Sequence, residues 1–210
     1  MAILKKGIYS EISGKLGDFV YSSRNGKTVV SAKPDPMAPK KPATIAQQAQ
    51  REKFKLITKL LKPFGPVLDV GFKQYKAKIG TKAKAFKLNY PTVLSGVYPN
   101  LNINYKDLRL SAGNASSLHH LKMEDQGGGL YALSWKCCAY VKGLDDQLVL
   151  VLYEEGQNRV AFTLNLANVG RQQAEFEVCG SPGCRVHVYV FTLGQSKGGN
   201  SESQYLGLVA

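Results

Sequence analysis

The sequence predicts an α+β chain: a basic N-terminal β-hairpin with short helices over residues 1–90, then an immunoglobulin-like antiparallel β-sandwich over residues 101–210. Three observations predict it. Asn25-Gly26 stands between two strand-like runs, and both residues tolerate the positive φ of a two-residue hairpin turn. After a stretch with four prolines, apolar residues recur at helical spacing from Thr44 onward. From Leu101 the texture changes to short β-like runs, separated by turn signals at intervals of about ten residues.

Composition sets the outer bounds. The chain has 210 residues, a net charge of +13, 44% hydrophobic and 20% charged residues. That is a folding composition and not a disordered one. No run of about 18 apolar residues is present, which excludes a transmembrane helix. Lys5, Lys6, Glu11 and Lys15 interrupt the N-terminal segment, so it lacks the apolar stretch of a signal peptide. The expected location is the cytoplasm, or a particle or surface assembly exported without such a signal.

The charge is uneven. Residues 1–90 carry 19 Lys and Arg against 5 Asp and Glu, whereas residues 91–210 carry 9 against 10. Such asymmetry points to an anionic partner. The same excess also serves as a solvated lysine-rich face that keeps a protein soluble. Of the 19 cations 17 are Lys; only Arg24 and Arg51 offer the planar fork that suits phosphates and bases best.

Taken in order, Gly7–Gly14, Leu16–Ser22 and Thr28–Ala32 read as β, with a hairpin from about Gly17 to Ala32. Residues 33–43 hold four prolines and form an extended linker, because proline fixes φ and has no N–H. Thr44 is placed to cap a helix reaching Lys62. Its apolar stripe is Ala46, Ala49, Phe54, Ile57, Leu60, Leu61 and Phe64. Pro63 and Pro66 end it, and a second helix follows over 66–75. A third runs from about Lys82 to Asn89. Strands are expected at 102–105, 108–112, 130–140, 147–154, 159–166, 173–179, 185–193 and 204–209. Trp135 is the expected plug of the sandwich core. On the strand 185–193, Val186, Val188 and Val190 oppose His187, Tyr189 and Phe191.

Motifs for chemistry are missing. Gly127-Gly128-Gly129 has no following Lys-Ser/Thr, and Ser13-Gly14-Lys15 lacks the upstream glycine and helix of a phosphate loop. His119-His120, expected in a loop near Glu124 and Asp125, find no third ligand at a metal-binding spacing. Asp145-Asp146 and Glu154-Glu155 read as charged turn residues. Cys137, Cys138, Cys179 and Cys184 contain no CxxC; Cys179 and Cys184 bracket a turn and either close a short disulfide or stay reduced. No Gly-x-Ser-x-Gly is present. The expectation is a protein without catalytic residues, metal or cofactor.

Several of these residues form a recognisable string: Ser13-Gly14-Lys15-Leu16-Gly17, then Asn25-Gly26-Lys27, then Thr44-Ile45-Ala46-Gln47-Gln48-Ala49-Gln50-Arg51-Glu52-Lys53-Phe54. It resembles the N-terminal signature of a bacterial family, found mainly in Bacteroidota, that is known only as a domain of unknown function. The resemblance covers residues 1–75 specifically and the remainder by architecture. It implies helices followed by a C-terminal β-sandwich, and it implies no activity. The C-terminal strands also look like an immunoglobulin or fibronectin type III sandwich, a likeness of fold that carries no function with it.

Two functions follow as expectations. The first is a structural protein, a subunit of a phage-tail-like particle, filament or surface assembly, acting through self-association or contacts with partner proteins. The second is binding of nucleic acid or another polyanion through the basic N-terminal part. The residues singled out for interaction are Lys15, Arg24, Lys27 and Arg51, with Lys73, Lys76, Lys78, Lys82, Lys84 and Lys87. The last six alternate with Phe72, Tyr75, Phe86 and Tyr90, a pattern that tracks a phosphate backbone and stacks bases, or else packs its aromatics inward and leaves its lysines wet.

Overall fold

A computed structural model describes residues 2–4, 12–24, 27–35, 42–77, 79–115, 118–136, 143–178, 183–194 and 199–209. The chain divides into two compact units, residues 1–44 and 45–210. That division falls well before residue 90, where the charge changes. Apolar contact sets it: the helices after Thr44 share a core with the C-terminal strands.

The first unit is an antiparallel sheet of β1 (Ala2–Leu4), β2 (Gly14–Leu16), β3 (Phe19–Arg24) and β4 (Lys27–Ala32), in the order β1-β4-β3-β2. The expected hairpin is β3 with β4, Arg24 opposite Lys27. Its turn residues Asn25 and Gly26 lie outside the described residues, as do Gly7–Glu11. A second tight turn joins β2 to β3, with Leu16 opposite Phe19. Gly17, the first residue of that turn, has a φ of +56°, the conformation for which a type II′ turn reserves glycine.

The second unit opens with α1 (Ile45–Leu61), α2 (Gly65–Gly71), a single 3₁₀ turn (Lys73–Tyr75) and α3 (Thr81–Asn89). Pro66 lies in the first turn of α2, where its missing N–H costs nothing. A hairpin of β5 (Leu94–Val97) and β6 (Asn100–Ile103) follows. Then come β7 (His119–Gly127), β8 (Leu130–Lys136), β9 (Gln147–Glu154), β10 (Arg159–Asn168), β11 (Gln173–Glu177), β12 (Val186–Leu193) and β13 (Gln204–Val209). They form two antiparallel sheets, β10-β9-β12-β13 and β11-β8-β7.

The four-stranded sheet is covered on both faces. One face packs Val149, Val151, Tyr153, Tyr189 and Phe191 against Ile57, Leu60, Phe64, Leu68 and Phe72 of the helical layer. The other packs Leu148, Leu150, Val186, Val188 and Val190 against Tyr131, Leu133, Trp135 and Phe176 of the three-stranded sheet. The alternation read in β12 is therefore real, and both of its sides are buried: valines meet the second sheet, and His187, Tyr189 and Phe191 face the helices. Trp135 is in the core as expected, 3% exposed, and its indole N–H donates to the Val169 carbonyl at 2.8 Å.

Three expectations differ from the fold. Residues 108–112 are not a strand; they cross the helical core as an irregular segment with Leu108 and Leu110 buried. Backbone groups in such a segment need partners, and side chains supply them. The Asn89 amide donates to the Arg109 carbonyl at 2.8 Å and accepts from the Arg109 N–H at 2.7 Å. Ser203 Oγ accepts from the Leu110 N–H, and the Gln74 amide donates to the Ala112 carbonyl. At Gly71 a Cβ would run into the Leu110 carbonyl oxygen, so this close approach requires glycine. Second, β5 forms without a clear strand pattern. Third, His119 and His120 begin β7 instead of lying in a loop; every residue of β7 is exposed or half-buried, so no apolar alternation marks it.

Because the two cores share one sheet, the second unit is expected to unfold as one. Phe64 is fully buried with its ring 5.0 Å from that of Tyr153, and Phe64→Ala should cost about 3–5 kcal/mol. The sole tryptophan, Trp135, reports from the opposite core. Its fluorescence and the far-ultraviolet circular dichroism should shift to lower urea together in the variant; separate transitions would refute a shared cooperative core.

Candidate interaction surfaces

The sheet of the first unit has two unlike faces. Pleating and register put Leu16, Phe19, Tyr21 and Val30 on one face, and Lys15, Val20, Ser22, Val29 and Lys27 on the other. Leu16 and Phe19 are directly opposite each other, yet 55% and 51% exposed. Among the residues of this unit whose side chains are described, only Thr28 is buried. Among the described residues the short strand β2 ends the sheet, so one row of its backbone N–H and C=O groups has no described strand beside it.

The residues singled out from the sequence are distributed as follows. Lys15 and Lys27 are exposed on the first unit, on strands separated by β3. Arg24 is in β3 opposite Lys27; its side chain lies outside the described residues, as does Lys78 altogether. Arg51 is exposed on α1 of the second unit. Lys73 and Lys76 are exposed at the 3₁₀ turn, and Lys82 and Lys87 on α3. At 100° per residue, Lys84 and Lys87 fall on one flank of α3 and Lys82 with Phe86 on the other, either side of the buried Thr81, Ala85 and Asn89. Lys84 Nζ lies 4.3 Å from the centre of the Tyr75 ring, a cation–π contact. The interleaved aromatics turn inward: Phe72 is fully buried, and Tyr75, Phe86 and Tyr90 pack against the same core.

A polar cluster on the helical side of the four-stranded sheet was not legible in the sequence. His187 on β12, 3% exposed, stacks on Tyr105 with ring centres 4.1 Å apart. Its Nδ1 is 3.0 Å from the Tyr205 hydroxyl, and its Nε2 is 3.7 Å from Glu155 Oε2. The Tyr105 hydroxyl donates to Glu155 Oε1 at 3.3 Å, and Arg185 Nη1 lies 3.5 Å from Oε2. The Tyr153 hydroxyl donates to Asn158, and that of Tyr189 to the Tyr105 carbonyl. Burial holds the His187 pKa below its ordinary value, with Arg185 adding to the effect and Glu155 opposing it. Burial likewise raises the phenol pKa values of Tyr105, Tyr153, Tyr189 and Tyr205. The alternation of β12 marks His187 as facing the aromatics, but its partners come from three other segments.

Among the described residues no three His, Cys, Asp or Glu side chains converge on a metal-sized space. His119 and His120 are both exposed. Cys137, Cys138 and Cys179 lie outside the described residues; Cys184 is half-buried. No described helix is long and apolar enough to cross a membrane.

These features define a mostly β protein with a helical layer over one sheet and a separate basic sheet of its own. The chain belongs to DUF6266, a family of unknown function, whose pattern matches residues 11–207. The match extends beyond the segment that carried the resemblance in the sequence and runs through both compact units. No curated protein matches the chain.

The His187 environment has a pH signature. As pH falls below the ordinary histidine value of 6.5, the unfolded chain takes up a proton before the folded one, because the folded pKa is lower. Stability conferred by neutral His187 is thus present above that value and is lost on acidification. Urea midpoints measured at pH 8 and pH 5 should differ for the natural chain, and less for His187→Phe, which keeps the stacking and removes the titration.

Proposed function

We propose that this chain is a non-enzymatic structural protein, a subunit of an assembly such as a phage-tail-like particle, filament or surface layer, and that it acts through protein–protein contacts. One observation carries the reading. The first unit presents an apolar sheet face with Leu16 and Phe19 about half exposed, beside the open edge of β2. A sheet with a solvent-exposed apolar face and an open edge is completed when another surface covers it or another strand joins it.

The strand orders support a fibronectin type III-like reading of the C-terminal part. Lettered A to G from β7 to β13, the sheets become A-B-E and D-C-F-G. The immunoglobulin constant arrangement keeps the fourth strand beside E; here it pairs with C, as in fibronectin type III domains. Trp135 on strand B and Tyr189 on strand F are both buried. Sandwiches of this kind commonly serve as adhesive and assembly modules, which is an analogy of fold.

Polyanion binding is the second reading. It is favoured by the exposed Lys73, Lys76 and Lys87, none of which pairs with a carboxylate among the described residues. The inward packing of Phe72 weighs against base stacking there.

Light scattering coupled to size exclusion separates the two. In the assembly reading the full chain forms a defined oligomer at low salt and at about 1 M salt, where the Debye length is about 3 Å. Leu16→Lys with Phe19→Lys should return it to a monomer with unchanged circular dichroism. A monomer at both salts would overturn the reading. Nucleic-acid retention that weakens steeply with salt, and weakens further when Lys73, Lys76, Lys84 and Lys87 become Gln, would favour the alternative.

A further inference from the structure

The three helices enclose a half-open cavity of about 250 Å³. Leu61, Leu68, Phe86 and Gly65 give it an apolar wall. Thr58 joins them, but its hydroxyl donates to the Phe54 carbonyl at 2.8 Å, so that group is committed to the α1 backbone. The remaining lining residues are Lys62 and Lys82, one from the end of α1 and one from the start of α3, both exposed. Among the described residues neither has a carboxylate partner. Phe54, 55% exposed, extends the apolar surface outward by packing on Phe86 with ring centres 4.8 Å apart.

An apolar chamber bordered by two lysines that lack a carboxylate partner among the described residues is complementary to a molecule with an apolar tail and an anionic head. We propose that this cavity binds a single-chain amphiphilic anion, with the tail between Leu61, Leu68 and Phe86 and a carboxylate head between Lys62 and Lys82. Size limits the tail. A water occupies about 30 Å³ of liquid and a methylene a similar volume, so the space holds about eight such groups. It admits one medium-length chain and excludes a two-chain lipid. The site is independent of the assembly reading, because it lies wholly in the second unit.

Octanoate is the probe, titrated into the full chain with methyl groups labelled for NMR at low ionic strength. Saturable shifts are expected at the Leu61, Leu68 and Thr58 methyls, with Leu133 and Val188 of the far core unmoved. Octanol lacks the charge and butyrate lacks four methylenes. Butyrate should bind on the order of a hundredfold weaker, at about 0.8 kcal/mol for each of the four methylenes. Octanol, and octanoate with Lys62→Gln/Lys82→Gln, should bind about fivefold to tenfold weaker, the scale of two exposed ion pairs. Gly65→Leu provides a charge-neutral block. A Cβ at Gly65 starts 3.9 Å from Lys82 Cε, an ordinary contact, and the longer side chain grows into the cavity. Octanoate shifts should vanish in that variant while the Leu133 and Val188 signals hold. No saturable shifts, or shifts that survive both the double and the blocking variant, would overturn the proposal. Octanol binding as tightly as octanoate would also overturn it, and would leave the lysines as stems lying over an apolar void.

Discussion

The burial of β9 and β12 on both faces is the constraint on which the second unit depends. A strand with one wet face tolerates polar residues at every second position; one packed on both sides does not. Seven of the eight residues of β12 are buried, and β9 is nearly as closed. Those two strands are therefore mostly apolar, with His187 and Thr192 the buried polar residues of β12; they pair centrally and leave the edges to β10 and β13. The helical layer and the three-stranded sheet do not touch the same side chains. They are coupled because each packs on the opposite side of the same strands.

The alternation within β12 then assigns each core a character. The valine side meets the second sheet, where branched side chains interdigitate with Trp135, Leu133 and Phe176. The other side carries rings and meets Phe64 and Phe72 of the helices. At the turn end of β9 and β12 that ring-rich side turns polar: His187 Nδ1 meets the Tyr205 hydroxyl and Glu155 Oε1 accepts from the Tyr105 hydroxyl, while His187 Nε2 and Glu155 Oε2, 3.7 Å apart, have no hydrogen-bond partner among the described residues. Between the helices and the sheets, residues 108–112 cross the core without regular structure. They are held by Asn89, Gln74 and Ser203, whose side chains stand in for the missing backbone partners. A little further along, Gln204 does the same for Leu118, donating to its carbonyl and accepting from its N–H.

This arrangement leaves the chemistry of recognition at the periphery. The interior is mostly apolar or internally hydrogen-bonded, with the Tyr90 hydroxyl, Glu154 Oε1, Glu155 Oε2 and His187 Nε2 buried without a hydrogen-bond partner among the described residues; the open features of the surface are the exposed face and edge of the first sheet, the lysine flanks of α3, and the cavity between the helices. Leu16 and Phe19 are exposed in a unit where Thr28 is the one buried residue among those whose side chains are described, which is why the assembly reading rests on them and not on the two C-terminal sheets.

The sequence alone determined the α+β class, the β3–β4 hairpin, the three helices near their observed limits, and the strands β9 and β13. Each of those is written in local pattern: a turn pair, a helical stripe, an apolar run between turn signals. It also placed Trp135 inside, and left Phe72 open between stacking on bases and packing inward. Only the tertiary structure decided that the helices share a core with the C-terminal sheet, since an apolar stripe states that it needs a partner without stating which. It alone revealed β7, whose residues are wet, and the irregular crossing at 108–112, whose apolar alternation looks like a strand while its hydrogen bonds go to side chains. The His187 cluster and the cavity of Lys62 and Lys82 were hidden for the same reason. Their members are far apart in the chain, and proximity between distant residues is a property of packing that no local spacing encodes.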